Sequence, residues 1–399
     1  MSETTLEIAH PPAPPRNRWK RIRFICYGVL LFGLITIFLI PGGQVRFRQM
    51  VWSYLPAPAP HVLEVSGVPR ERGLAMGEKF KWEIRLLDKI YIRSFAPPET
   101  FPKYRKQATE LFNRIPVRWK DEVEAMAKAS GVDAATLKLG NSFLDMGLNA
   151  SGCRQIHVDT GSSMLHAHNL DWDNLGGIGN YLVTIVRSEH QSERLRTVHI
   201  TFPGLIGALD IINESGLAMS FNQLGINRGG ETHYPVFIAM RDIAESCRSF
   251  DEARERIVNM PKGMPFCIGL SSARERRSSV FERVSGDDQV LERPARDGIV
   301  CADNMAWGNR RTGEIDRIVR DRGVAGWQDL AGLLRNPKIL LSCNIYSVIF
   351  DYQANKFYLA SGTVPAALGE YREFTLFEPV PSVCEARLKV KRSAGHFGH

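Results

Sequence analysis

The chain has 399 residues, 44% of them apolar and 24% charged, enough for one large domain or two ordinary ones with a sizeable core. Its formal charge of +8 sits at the ends: residues 1–50 carry seven Lys/Arg against two Glu, and Glu385 to His399 carry four against one. The remainder is close to neutral, which excludes a nucleic-acid reader that keeps its positive charge on the folded domain.

From the N-terminus, Phe24 to Ile40 is a run of 17 residues without a charge, nearly the length of a bilayer core at about 1.5 Å per residue. Arg16, Arg18, Lys20, Arg21 and Arg23 precede it, and only Arg46 and Arg48 follow closely. That bias predicts a cytoplasmic segment over 1–23 and a transmembrane anchor over 24–40. Everything after Pro41 would then lie outside, in the periplasm of a bacterium. Ile40-Pro41-Gly42-Gly43 offers no small-x-small cleavage site, so the anchor is expected to stay uncleaved. Residues 41–61 read as a linker stiffened by Pro56-Ala57-Pro58-Ala59-Pro60. The seven cysteines form no CxxC pair and no metal-ligand spacing.

Residues 62–148 read as mostly helical, with apolar spacing from Leu74 to Ile92 and a helix over Glu122 to Ala129 that Gly131 can end. At Gly152 the period changes. Arg154 to Asp159 and Met164 to Asn169 read as two strands around Thr160-Gly161-Ser162. Strands are expected at Tyr181 to Arg187, Arg196 to Phe202, Leu217 to Asn222 and Ser279 to Val284, with a hairpin over Ile345 to Ala360. Helices are expected at Pro235 to Ser246, after the capping box Ser249-Phe250-Asp251-Glu252, and at Trp327 to Leu334. Strand runs interrupted by helix pairs predict a layered α+β domain.

The chemistry-bearing element is Ser151-Gly152-Cys153 at the start of the first strand of the hairpin. A cysteine thiol is a strong nucleophile once its proton is removed, and a glycine carbonyl is open to close approach. Together they permit an N→S acyl shift in which Cys153 attacks the Gly152 carbonyl and water resolves the thioester. The product carries a free α-amine on Cys153, which titrates at about 7.7–8.0 in reference peptides and can serve as a base for its own thiol. Asp171 follows Cys153 by 18 residues, and two antiparallel strands would return it to the cysteine, where a carboxylate could orient that amine.

Gly152-Cys153 followed by His168-Asn169-Leu170-Asp171-Trp172 resembles the N-terminal-nucleophile (Ntn) cysteine hydrolases of the penicillin acyltransferase type. Their wider superfamily includes choloylglycine hydrolase, penicillin V acylase and acid ceramidase. Gly67-Val68-Pro69-Arg70-Glu71-Arg72-Gly73 with Gly77 is similar to the opening of the pro-segment. Asn213-Glu214-Ser215-Gly216-Leu217-Ala218 with Ser220-Phe221-Asn222 is similar to a central motif. Met240-Arg241-Asp242-Ile243 with Phe250-Asp251-Glu252-Ala253 resembles the family's helix pair, and Asp303-Asn304 and Ala360-Ser361-Gly362 follow in order.

The resemblance implies a four-layer αββα sandwich, with a helical pro-segment over 62–152, a catalytic domain over 153–384 and a basic tail over 385–399. It implies self-cleavage between Gly152 and Cys153, with Cys153 as nucleophile and Asp171 orienting its amine. Asn304 and the backbone N–H of Asn222 would form the oxyanion hole. The family places an arginine where this sequence has His168, which could support a thiolate only when protonated, and a small hydroxyl residue where it has Arg154. The family arginine after the oxyanion asparagine has two candidates, Arg310 and Arg317, of which Arg317 is preferred.

The implied activity is cleavage of a linear amide in a small acyl-amide substrate through an acyl-enzyme, with water or an amine as acceptor and no cofactor; the expected membrane tether points to a lipid-like or cell-envelope acyl amide. The alternative is an anchored scaffold that keeps the fold without chemistry. Three other readings are weaker. His166 and His168 lack a third ligand for zinc. A papain-like site would place the cysteine at a helix start. Gly176-Gly177-Ile178-Gly179 lacks the Lys-Ser/Thr of a phosphate loop.

Overall fold

The computed structural model describes residues 57–148, 152–174, 177–189, 194–224, 234–261, 265–284, 289–304 and 310–378. The chain divides into two units, Met1–Leu55 and Pro56–His399, and the second carries every element below. The helices are α1 (Pro69–Lys79), α2 (Lys81–Ile90), α3 (Phe101–Arg114), α4 (Val117–Ser130), α5 (Ala134–Gly140), α6 (Ile178–Tyr181), α7 (Val236–Ser246), α8 (Phe250–Val258), α9 (Arg310–Arg322) and α10 (Trp327–Leu334). The strands are β1 (His61–Val65), β2 (Gly152–Asp159), β3 (Met164–Asp171), β4 (Thr184–Ser188), β5 (Thr197–Thr201), β6 (Asp210–Asn213) and β7 (Leu217–Gln223). They continue with β8 (Phe266–Ser272), β9 (Arg277–Arg283), β10 (Leu291–Pro294), β11 (Ile299–Asp303), β12 (Asn344–Asp351), β13 (Lys356–Ala360) and β14 (Arg372–Thr375).

Two sheets form: an eight-stranded one in the order β1-β4-β5-β6-β7-β8-β9-β10 and a six-stranded one in the order β11-β2-β3-β12-β13-β14. They face each other, with β2 and β3 packed on β7. The outer face of the larger sheet is covered by α7 and α8, and that of the smaller by α9 and α10. Helix, sheet, sheet and helix thus stack in the expected α+β order. The second apolar cluster marks the smaller sheet's outer layer: Ile156, Leu165 and Ala167 pack there on Ile315, Val319 and Leu334.

Local sequence explains the elements that were legible. The β2–β3 hairpin turns at Gly161, whose φ of +85° suits a residue without a Cβ, and the Asp159 carboxylate accepts from its N–H at 2.8 Å. Ser249 and Glu252 form the capping box of α8, and α4 ends on Gly131 with φ +74°. Gly73 and Gly77 let α1 lie directly on α4: a Cβ on either would come within 2.0 Å of the Glu122 carbonyl oxygen or 2.6 Å of that of Met126.

Four expectations are corrected. The stretch after residue 60 opens as a strand, because β1 adds in parallel to β4. The segment expected as a strand from Tyr181 starts as the short helix α6. β6 and β8 were not expected at all. They are buried along their whole length, which removes the apolar–polar alternation that announces a half-exposed strand.

The fourth correction concerns localisation. Among the described residues no helix is long and apolar enough to cross a membrane. The longest, α3 and α4, have 14 residues each, about 21 Å at 1.5 Å per residue against a core of about 30 Å. Residues 24–40, on which the anchor was read, lie outside the described residues except for Tyr27. The expectation of a single-pass membrane protein with an external catalytic domain is therefore withdrawn.

Candidate active site

β2 begins at Gly152 and runs antiparallel to β3 with Gly152 opposite Asp171, Cys153 opposite Leu170 and Gln155 opposite His168. Successive side chains alternate between faces. Cys153, Gln155 and His157 therefore share the face toward the larger sheet with His166 and His168. Arg154 and Ile156 take the other. All of these side chains are buried.

Between the sheets the polar groups are tied together. His168 Nδ1 lies 2.8 Å from both carboxylate oxygens of Asp210 on β6. Tyr346 of β12 and Ser220 of β7 also donate hydroxyls to that carboxylate. His166 bridges Ser220 at 2.7 Å and Ser271 at 2.9 Å, and Ser271 reaches His157 Nδ1 at 3.1 Å. His157 Nε2 sits 3.2 Å from Gln155 Oε1, and Gln155 Nε2 donates to Asn222 Oδ1 at 2.6 Å. Hydrogen bonding thus runs without a break from His168 to Asn222, as burial of polar atoms requires.

The electrostatics divide the three histidines. Burial alone would depress the His168 ring, but the Asp210 carboxylate and its hydrogen bond, with a further contribution from Cys153, raise it to about 10. Burial, followed by the charge of His168, lowers His157 to about 3. His166 is lowered well below 6.5 by burial and by the two neighbouring rings. One imidazolium and two neutral imidazoles share the layer. His166 is spent on two serines, so the zinc reading of His166 with His168 has no support here.

On the opposite side of the cysteine strand, Arg154 donates from Nη1 to the Cys153 carbonyl at 2.5 Å and to Asn304 Oδ1 at 3.2 Å. A Cβ built on Gly152 would lie 3.7 Å from Asn304 Nδ2. The guanidinium accordingly fixes which way the Asn304 amide faces, with its N–H side toward Gly152. Cys343 stands close by: its carbonyl accepts from the Trp172 N–H at 3.0 Å, and burial followed by the charge of Asp171 raises its thiol to about 11.

Cys153, His168, Asp171, Asn222 and Asn304 thus converge around the start of β2. Arg317 does not join them. Its side chain is 66% exposed and pairs with Asp321 at 3.9 Å, because the inward phase of α9 belongs to the buried Ile315 and Val319. Residues the sequence did not flag are Asp210, Gln155 and Tyr346, together with the role of Arg154. Gln155 could have been found from the strand alternation, since it lies two residues beyond Cys153 on the same face.

An apolar cavity of about 60 Å³ opens beside this centre. Tyr91, Phe95 and Phe143 from the helical N-terminal part line it together with Trp172, Phe202 and Leu209. It lies one ring beyond the histidine layer: Tyr346 is edge-on to His168 at 6.4 Å and tilted against Phe202 at 6.5 Å.

Residues 158–309 match the family model of acyl-coenzyme A:6-aminopenicillanic acid acyl-transferase. Over those residues the chain is similar to that acyl-transferase family. Among curated relatives it is 22% identical over 282 residues to Protein dcd1B of Dictyostelium discoideum, a match that covers 65% of this chain and 54% of that one. The chain thus spans about half the length of the curated relative it matches. Solved structures similar to this chain include an N-acylethanolamine-hydrolyzing acid amidase ortholog of Caenorhabditis elegans, at 15% identity and TM-score 0.43, covering 50% of this chain and 92% of that one. Penicillin V acylase from Agrobacterium tumefaciens follows at 11% and 0.36, covering 52% and 82%. A conjugated bile acid hydrolase from Clostridium perfringens follows at 10% and 0.34, covering 58% and 99%.

Proposed function

We propose that this chain is an N-terminal-nucleophile hydrolase that cuts itself after Gly152 and then cleaves a linear amide through an acyl-enzyme on Cys153, passing the acyl group to water or to an amine. The observation that carries the reading is the convergence on one peptide bond. Gly152 faces Asp171 across the ladder, Asn304 lies beside Gly152, and the Cys153 side chain enters the buried polar layer.

Each group has a task in that chemistry. Cutting turns the Cys153 nitrogen into an amine, and Asp171 is placed to hold it while it takes the thiol proton. The thiolate attacks the amide carbonyl of the substrate, and negative charge develops on the carbonyl oxygen. Asn304, with its amide held by Arg154, and Asn222 on the larger sheet are the donors proposed for that oxygen. The ammonium returns its proton to the leaving nitrogen, and water or an amine then takes the acyl group from sulfur. In this reading Arg154, unexpected beside a nucleophile, serves as the support of the oxyanion amide.

The cavity argues for an apolar acyl group. Its volume has room for about four to six water-sized groups, and its walls offer aromatic rings where a charged substituent would go unpaired. A short acyl chain or a single aryl group fits that description.

The test is the N-terminus of the mature protein. Electrophoresis and mass analysis of fresh protein are expected to give two pieces, one ending at Gly152 and one beginning at Cys153, and Cys153→Ala should leave the chain whole. An intact wild-type chain whose Cys153 resists alkylation would instead identify a scaffold without chemistry.

A further inference from the structure

The α-amine proposed as the base for turnover does not exist until the chain has been cut. Before that, the nitrogen of Cys153 is an amide and carries no basic lone pair. The cutting step therefore needs another group to favour the thiolate, and the groups around Cys153 restrict the choice. Asn304 and Asn222 carry no charge, the Asp171 carboxylate opposite Gly152 would repel a thiolate, and Arg154 lies on the other face of β2, donating to the Cys153 carbonyl and Asn304. Gln155 is engaged with Asn222 and His157. His168 lies diagonally across the ladder from Cys153 on the same face, and its Nδ1 is committed to Asp210. Nε2 is the ring nitrogen that remains for the thiol.

We propose that Asp210 is a positioning residue for self-cleavage, holding His168 by Nδ1 as an imidazolium whose Nε2–H stabilises the Cys153 thiolate while the Cys153 nitrogen is still an amide. The step rests on the self-cleaving reading above and balances as follows. The S–H proton is lost to water, leaving a thiolate beside the imidazolium that the Asp210 carboxylate holds. The sulfur attacks the Gly152 carbonyl carbon, the Gly152–Cys153 C–N bond breaks, and Nε2–H gives its proton to the departing nitrogen. Water then hydrolyses the Gly152–sulfur thioester, which releases the Gly152 carboxylate, restores the thiol and returns one proton to Nε2.

Asp210 is built for the task. It is wholly buried, accepts from Tyr346 and Ser220 as well as His168, and sits on the sheet opposite the cysteine strand. Tyr346 both donates to this carboxylate and lies edge-on to the His168 ring, which fixes the pair from a third element. The other titratable groups facing the ring are Cys153 and His157 from β2 and His166 from β3; the two histidines are kept neutral by burial. The raised affinity of His168 for its proton is what a thiolate neighbour needs. The pair also answers the departure noted in the sequence: a histidine made cationic by a buried carboxylate stands where the family has a guanidinium.

The experiment is the rate of self-cleavage against pH, followed by electrophoresis of the full chain. In Asp210→Asn the imidazolium loses its counter-charge. Near pH 6 cutting should slow about tenfold or more, and the acid limb should move up by about one pH unit. Tyr346→Phe keeps the ring and should move the limb in the same direction, with about two- to fivefold slower cutting. It decides the matter alone should Asp210→Asn not fold. The proposal is overturned if wild-type protein cuts and the folded variants cut at its rate, or if they slow equally at every pH, as a purely structural role would have it. Wild-type protein that never cuts sinks the self-cleaving reading itself, which is a different result.

Discussion

Gly152 and Asp171 are directly opposed in the β2–β3 ladder, one residue before Cys153 meets Leu170. This register puts the carboxylate nearer to the peptide bond ahead of Cys153 than to the thiol. Its task is then to orient the amine freed by cutting, and removing its charge should weaken turnover more than folding. Asp171→Asn is expected to lower kcat on an N-acyl amide by about 10²–10⁴, with the fold retained by circular dichroism. Unchanged kcat in the variant would remove Asp171 from the site.

The contact of Arg154 Nη1 with Asn304 Oδ1 at 3.2 Å gives a second prediction. Asn304→Ala deletes a proposed oxyanion donor and should cost about 10²–10³ in kcat. Arg154→Met leaves Asn304 in place but frees its amide to turn, so the loss should be smaller and in the same parameter. Steady-state kinetics decide this. A change confined to KM would mean that Asn304 binds substrate and does not stabilise the intermediate.

Glu245 of α7 receives three guanidiniums: Arg72 of α1 at 3.2 Å, Arg241 at 2.7 Å and Arg194 at 3.0 Å. Arg72 lies in the part that self-cleavage would detach, so this cluster is proposed to keep the two pieces together. Glu245 is buried, and removing its carboxylate leaves Arg72 and Arg241 to share Glu122 and Arg194 with Asp242, a buried cluster with one negative charge too few. Glu245→Ala should destabilise the fold by about 3–5 kcal/mol. Denaturant titration measures it, and a loss under about 1 kcal/mol would show that the arginines find other partners.

What the sequence disclosed and what it hid follow one physical line. The β2–β3 hairpin was legible because alternation and a glycine turn coincide, and α8 because Ser249 and Glu252 are adjacent cues. β6 and β8 hid because both their faces are covered. Asp210 could not be found from local pattern: its meaning comes from a sheet packed against His168, 42 residues earlier. Arg317 was misjudged for a related reason, since spacing after Asn304 does not fix the phase of α9. The segment 24–40 was read from its uncharged run and the basic residues ahead of it.

Gly269 on β8 shows how closely the two sheets approach. A Cβ there would lie 2.0 Å from Gln155 Oε1 and 2.3 Å from His157 Cε1. Gly269→Ala must push both side chains, breaking the hydrogen-bond run between Asn222 and His157. The expected cost is about 1–3 kcal/mol, with a loss of activity larger than that of a surface mutant of equal stability. Thermal unfolding and kcat measured on one preparation test the pairing; a stable and fully active variant would show that the layer relaxes freely.

The buried titratable groups predict a stability maximum near pH 6.5. His157 and His166 are held below their ordinary 6.5, His157 at about 3. The unfolded chain therefore binds protons that the folded one refuses, and each group removes stability as pH falls from 6.5. Asp145, pushed up by burial to about 8 from an ordinary 3.8, acts in the opposite sense, losing stability as pH rises from 3.8 to 8. Between 3.8 and 6.5 two groups thus oppose one, and stability climbs with pH. Above 6.5 the histidine contributions are flat. His168 now enters: its folded form keeps the proton to about 10 while the unfolded form has lost it, so its stabilisation fades through that interval together with that of Asp145. The sign changes at the ordinary histidine value. Denaturant midpoints taken from pH 4 to 9 should peak there, and Asp210→Asn should flatten the alkaline side by removing the cause of the His168 shift. A wild-type midpoint that keeps rising from pH 7 to 9 would contradict the assignment of His168 as the cation of this layer.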